Sequence, residues 1–107
     1  MSESRLVYDI MHELGKHGAV YRCNSVSVKL PNGKRFNGMP KGFADVMLIR
    51  DGGAACFIEC KVKPNKPEPE QLVFLERMKG LGCRAGVAYS VADALETCGI
   101  DAGAIHN

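Results

Sequence analysis

Residues 54–62 form an apolar run interrupted only at Glu59 and Lys61, and the run follows directly on the glycine turn Asp51-Gly52-Gly53. Side chains alternate along an extended chain, so Glu59 and Lys61 share one strand face, while Cys56, Ile58 and Cys60 share the other. Charges are rarely placed in such surroundings without a purpose. Residues 43–49 supply a second strand before the turn, and the two strands should pair as an antiparallel hairpin. If Asp51, Gly52 and Gly53 make a three-residue loop, Arg50 faces Ala54 and, counting back, Asp45 faces Glu59. That register puts two carboxylates on one sheet face with Lys61 two residues further along. A two-residue loop would separate them onto opposite faces.

The remaining elements group around this hairpin. Ser2 or Ser4 can cap a first helix whose apolar positions Leu6, Val7, Ile10, Met11 and Leu14 follow helical spacing, with a stop at Gly15 or Gly18. Residues 19–30 read as a strand in which Val26, Val28 and Leu30 alternate with Ser27 and Lys29, ended by the turn Pro31-Asn32-Gly33. Residues 35–42, with Gly38, Pro40 and Gly42, read as an irregular approach to the next strand. A proline-rich connector over 64–69 places Pro67 or Pro69 in the first turn of a helix over 68–81. Its expected core face is Leu72, Phe74, Leu75, Met78 and Leu81, and Gly82 provides a stop. A strand over 84–89 and a Ser90-capped helix over 91–98 complete the chain. The order αβββαβ plus a C-terminal helix implies an α/β domain with a mixed sheet flanked by helices, its last strand parallel to the strand bearing Glu59.

The 107 residues suit one domain. No apolar run approaches the ~20 residues of a membrane-spanning helix, and the opening residues lack the layout of a signal peptide, so a soluble, cytoplasmic protein without a membrane partner is expected. The five cysteines are odd in number and show no C-x-x-C spacing, which favours reduced, mostly buried thiols over zinc or redox chemistry. The net charge of +2 identifies no partner by itself. Its distribution is more informative, because Lys29, Lys34, Arg35, Lys41, Arg50, Lys61, Lys63 and Lys66 are opposed between 29 and 66 only by Asp45, Asp51 and Glu59. A positive field there would sit where a polyanion docks, and Lys41, Lys63 and Lys66 are the candidate DNA contacts.

Phosphodiester cleavage needs an attacking water, stabilisation of charge on phosphorus and help for the departing oxygen, all of which a hard divalent cation can supply. Mg2+ takes oxygen ligands and keeps several waters, so Asp45, Glu59 and the Cys60 main-chain carbonyl would suffice as protein ligands. Lys61 would then orient or deprotonate the water, or hold the phosphate. The bland alternative is a structural ion pair at a strand end, which an isolated E-x-K usually is. Gln71 lies on the sheet-facing side of the second helix and could touch Lys61, a bound water or a phosphate, or merely cap a backbone group. Glu3 and Glu13 could each reach the site from the first helix; Glu3, the better candidate, could equally complement the helix dipole. His12, His17 and His106 form no ligand spacing.

Pro40-Lys41-Gly42-Phe43-Ala44-Asp45, then Phe57-Ile58-Glu59-Cys60-Lys61, then Glu70-Gln71-Leu72-Val73-Phe74-Leu75 resembles the VRR-NUC family, the virus-type replication-repair nucleases of the PD-(D/E)XK superfamily. Tyr21-Arg22-Cys23-Asn24, Gly82 and Val87-Ala88-Tyr89-Ser90 follow the same order, so the resemblance spans nearly the whole chain. It implies a restriction-endonuclease-like core and metal-dependent DNA cleavage. Asp45 and Glu59 would bind Mg2+ or Mn2+, Lys61 would be the catalytic lysine, Gln71 the glutamine of the following helix and Glu3 the helix-one acid. Cys60 stands where relatives commonly carry valine, but the role there belongs to a backbone carbonyl.

The resemblance is to the small stand-alone bacteriophage members, which implies a host-cytoplasmic homodimer resembling Holliday-junction resolvases, with paired sites acting on branched DNA. Two alternatives stand beside this expectation: a flap, nick or duplex nuclease of the same fold, and a non-catalytic DNA-binding module.

Overall fold

The computed structural model describes residues 1–23 and 27–101. The order is α1 (Glu3–Leu14), β1 (Gly18–Arg22), β2 (Ser27–Lys29), β3 (Arg35–Asn37), β4 (Val46–Arg50), β5 (Ala55–Cys60), α2 (Pro69–Gly80), β6 (Arg84–Ala88) and α3 (Val91–Thr97). Four strands make one mixed sheet in the order β1-β4-β5-β6, while β2 and β3 form a separate two-stranded sheet. In the main sheet β4 pairs antiparallel with both β1 and β5, and β6 runs parallel to β5.

The central hairpin adopts the expected register. Val46 opposes Ile58 and Ile49 opposes Ala55, and the Arg50 N–H donates to the Ala54 carbonyl at 2.8 Å across the loop. Gly52 and Gly53 both take positive φ, near +93° and +92°, which a side-chain-bearing residue would resist. Continuing the count by one pair sets Asp45 opposite Glu59.

Helices cover both faces of the sheet. Leu6, Val7, Ile10 and Leu14 of α1, with Ala94 and Leu95 of α3, pack on Val46, Leu48, Cys56, Ile58 and Cys60. On the opposite face Leu75 of α2, with Phe74 and Met78, packs on Phe57 and Ala85. The Ser2 hydroxyl caps α1 by accepting from the Arg5 N–H at 3.1 Å, and the Ser90 hydroxyl caps α3 through the Asp93 N–H at 3.0 Å. Pro69 occupies the first turn of α2, where its missing N–H costs nothing.

Three expectations need correction. The strand expected over 19–30 is not continuous: β1 ends at Arg22, and β2 belongs to the other sheet. Val26 and Asn24 lie outside the described residues. The supposedly irregular 35–42 contains β3, because the Pro31-Asn32-Gly33 turn folds the chain back on itself. Leu30 N–H donates to Lys34 O at 2.7 Å, and the Asn32 side chain accepts from the Lys34 N–H at 2.9 Å. Alternation in sequence cannot tell a strand that continues a sheet from one that turns to pair locally. On α2, Leu72 and Leu81 are exposed rather than core. The buried stripe follows 71, 74, 75 and 78, which leaves Leu72 on its flank, and Leu81 is the cap beyond the last turn.

Candidate active site

The polar cluster sits at the end of the sheet where β1 stops, β4 begins and β5 ends. Asp45 is held there by two bonds that use different parts of the residue. Its carbonyl accepts from the Cys23 N–H at 2.7 Å, and its Oδ2 accepts from the Cys60 N–H at 2.9 Å. The second bond reaches across the hairpin to the residue after Glu59. One carboxylate is thus fixed against the main chain that carries the other.

Glu59 is 1% exposed, the only charged residue in the described core. Its Oε2 lies 3.7 Å from Lys61 Nζ, and its Oε1 has no hydrogen-bond partner. Burial pushes its carboxyl up from 4.5 to about 7, and the Asp45 charge pushes the same way. Lys61 pulls it back, while Glu3 adds to the rise. The Cys60 thiol reports the same field: burial first, then Asp45, Glu59 and Glu3, raise it to about 12, against Arg22. Three acids therefore act on this point, against Lys61 at Glu59 and Arg22 at Cys60. A buried, underpartnered carboxylate oxygen amid excess negative charge is the environment a cation relieves.

Asp45, Glu59, Lys61 and Cys60 are brought together, and Glu3, half-buried in the first turn of α1, is near enough to act on them electrostatically. Lys61 itself is mostly covered, its side chain 13% exposed. Cys60 is buried, and its side chain alternates onto the sheet face opposite Glu59, so only its main chain is available beside the two carboxylates. Among the described residues no group of three or more His, Cys, Asp and Glu side chains is arranged to hold a metal. Two carboxylates completed by a main-chain carbonyl and waters remain a fitting set for a hard cation.

The other candidates are less central. Gln71 Oε1 accepts from the Glu68 N–H at 2.7 Å, so its amide oxygen caps α2. Together with Lys41, Gly42, Glu68 and Glu70 it lines a small cavity of about 180 Å3. Lys41 pairs with Glu70 at 3.0 Å, Lys63 lies 5.7 Å from the centre of the Tyr89 ring, and Lys66 is exposed. Glu13 pairs with Lys16 at 3.0 Å. His12 stacks on Tyr8, and His17 Nε2 is buried without a partner. His106 lies outside the described residues.

Arg22 is a further charged residue beside the cluster that reasoning from the hairpin alone misses. It opposes Val46 in the β1–β4 register, at the end of the sheet holding Asp45, and its charge is felt at Cys60. The register of β1 against β4 is the signal that reveals it.

The chain is similar to a solved structure described as a VRR_NUC domain, with 23% identity, a TM-score of 0.49, and coverage of 88% of this chain and 87% of that one. No family model matches the sequence, and no curated protein does. The mixed sheet flanked by helices is the fold class expected from the sequence. A likeness at this level leaves the chemistry to be argued from the carboxylates and the lysine.

Proposed function

We propose that the chain is a metal-dependent nuclease that hydrolyses phosphodiester bonds in DNA, with Asp45, Glu59 and Lys61 as its centre. The observation that carries this reading is the Glu59 carboxylate: buried, with one oxygen unpartnered, facing Asp45 across a register that the loop enforces. Asp45, Glu59 and the Cys60 carbonyl would hold Mg2+, or Mn2+ in its place, and the bound cation would polarise the phosphate and acidify an attacking water. Lys61, already drawn toward Glu59, presents its ammonium to the phosphate oxygens or to that water. Gln71, its oxygen committed to capping, offers its NH2 group as a donor to substrate. Glu3 adds to the negative field that favours the cation. Lys41, Lys63 and Lys66 receive the flanking backbone phosphates.

A purely structural Glu59–Lys61 pair is disfavoured by its 3.7 Å separation and by the unpartnered oxygen, since a buried pair is tolerable only when its hydrogen bonds are satisfied. The finer reading, selectivity for branched DNA such as Holliday junctions by a cytoplasmic homodimer, is supported by the motif resemblance to stand-alone phage members. The free state of all five cysteines suits that location, and no helix among the described residues is long and apolar enough to cross a membrane.

The test is cleavage of labelled four-way junction, flap, nicked and plain duplex DNA with Mg2+ or Mn2+. Wild type should cut at least one substrate, the junction most rapidly, and Lys61→Ala should cut none. Cleavage unaffected by Lys61→Ala would refute the catalytic assignment. Metal-independent DNA binding without cleavage or Mn2+ binding would favour the non-catalytic module.

A further inference from the structure

The β2–β3 hairpin has no role in the site described above, and its composition and placement are unusual. Among the described elements, β2 and β3 pack on each other and on nothing else. An isolated two-stranded hairpin is marginal in water. Its two faces differ sharply. Val28 opposes Phe36 on one face, with Leu30 two residues along, and all three are exposed, at 49%, 59% and 38%. On the other face Lys29 stands directly opposite Arg35, two cations in the position where like charges repel. Lys34 adds a third cation at the turn, and residues 27–37 contain no acid.

The hairpin is rooted at the candidate active site. The chain leaves the main sheet beside Asp45, where the Cys23 N–H meets the Asp45 carbonyl, and re-enters it at Asp45 itself. The excursion between those points carries β2 and β3. A cationic, amphipathic ribbon therefore springs from the end of the sheet that holds Asp45 and Glu59.

We infer that this hairpin is a nucleic-acid-binding arm that grips the DNA beside the scissile phosphate. Lys29, Lys34 and Arg35 contact the backbone, and the Val28–Phe36–Leu30 face packs on the sugars and bases of the same strand. Charge complementarity selects this occupant over a second copy of the chain. A polyanion relieves the Lys29–Arg35 repulsion, whereas a symmetric protein contact through this ribbon would bring six cations together. Phosphate contacts position a nucleic acid, and an exposed aromatic can stack on an unpaired base without demanding a sequence. The inference rests on the nuclease reading for its substrate, but binding can be measured separately from cleavage.

The experiment is fluorescence anisotropy of a labelled four-way junction in EDTA, titrated with full-length wild type, with the triple variant Lys29→Gln/Lys34→Gln/Arg35→Gln, and with Phe36→Ser, over a series of salt concentrations. The triple variant should bind roughly tenfold or more weakly, and its log–log salt slope should be shallower by about 3, close to one unit per lost phosphate contact. Phe36→Ser should weaken binding with the slope unchanged. Melting curves like that of wild type would show that the main sheet, which the hairpin does not touch, is intact. Binding and slope equal to wild type in the triple variant would overturn the arm, and so would a wild type that binds no DNA. Conversion of a wild-type dimer to a monomer by Phe36→Ser, seen by light scattering, would overturn it in favour of a second copy. Cleavage by wild type in Mg2+, scored alongside, shows whether the nuclease reading survives either result.

Discussion

Replacing Glu59 by glutamine should remove activity and, in the absence of metal, stabilise the fold. The carboxyl takes up its proton at about 7 in the folded chain against 4.5 in the unfolded one. Between those values the folded state holds more protons, so stability falls as pH rises, and the full penalty is present above about pH 7. A rise of that size corresponds to about 3 kcal/mol. This is an upper bound for the variant's gain, because the glutamine amide must itself be buried where one carboxylate oxygen already lacks a partner. A domain near this length shifts its midpoint by about 4–8 °C per kcal/mol, so a gain of even half the bound is readily measured. Thermal and urea unfolding of both proteins in EDTA, from pH 5 to pH 8.5, should give curves that diverge as pH rises. Comparing the pair isolates Glu59 from every other titrating group. Adding Mg2+ at pH 8 should narrow the difference, because a ligand of the native state stabilises it and the variant lacks half the carboxylate set. Parallel pH profiles, or a variant less stable than wild type at pH 8 in EDTA, would refute the claim that Glu59 is held as an uncompensated buried acid.

Further outcomes follow from the same geometry. Gly42 has φ +89°, and a Cβ there would lie 2.6 Å from the Glu70 carbonyl oxygen; Gly42→Ala should cost about 1–3 kcal/mol, read from urea unfolding. The Cys60 thiol, buried and raised to about 12, should resist alkylation at pH 8 in native protein and react at once in denaturant.

The parts of the fold legible in the sequence are those governed by local chemistry. Ser2 and Ser90 announce helix starts because their hydroxyls satisfy orphan N–H groups, and the structure uses both. The β4–β5 register could be counted from the Asp51-Gly52-Gly53 loop because loop length fixes pairing. The β2–β3 hairpin could not be anticipated, since Val26, Val28 and Leu30 alternate as well for a strand of the main sheet as for one that pairs locally. The depth of Glu59 was also hidden. Its neighbours in sequence are apolar, but its burial comes from packing contributed by distant segments. Gln71 illustrates a residue whose sequence position allowed two uses, contact with the site or capping of the helix, and the structure commits its oxygen to the cap. Arg22 stands out in the sequence only as part of the segment from Tyr21 to Asn24, and its place beside the cluster needs the β1–β4 register.

In the proposed nuclease, Asp45, Glu59 and the Cys60 carbonyl form one cation site beside Lys61. A crystal structure of the protein soaked in Mn2+, with anomalous scattering recorded, tests it most directly. A single strong anomalous peak is expected within ordinary metal–oxygen distance of both carboxylates and that carbonyl, absent from Glu59→Gln crystals. A well-ordered site with no peak, or a peak bound elsewhere and unchanged by Glu59→Gln, would contradict it.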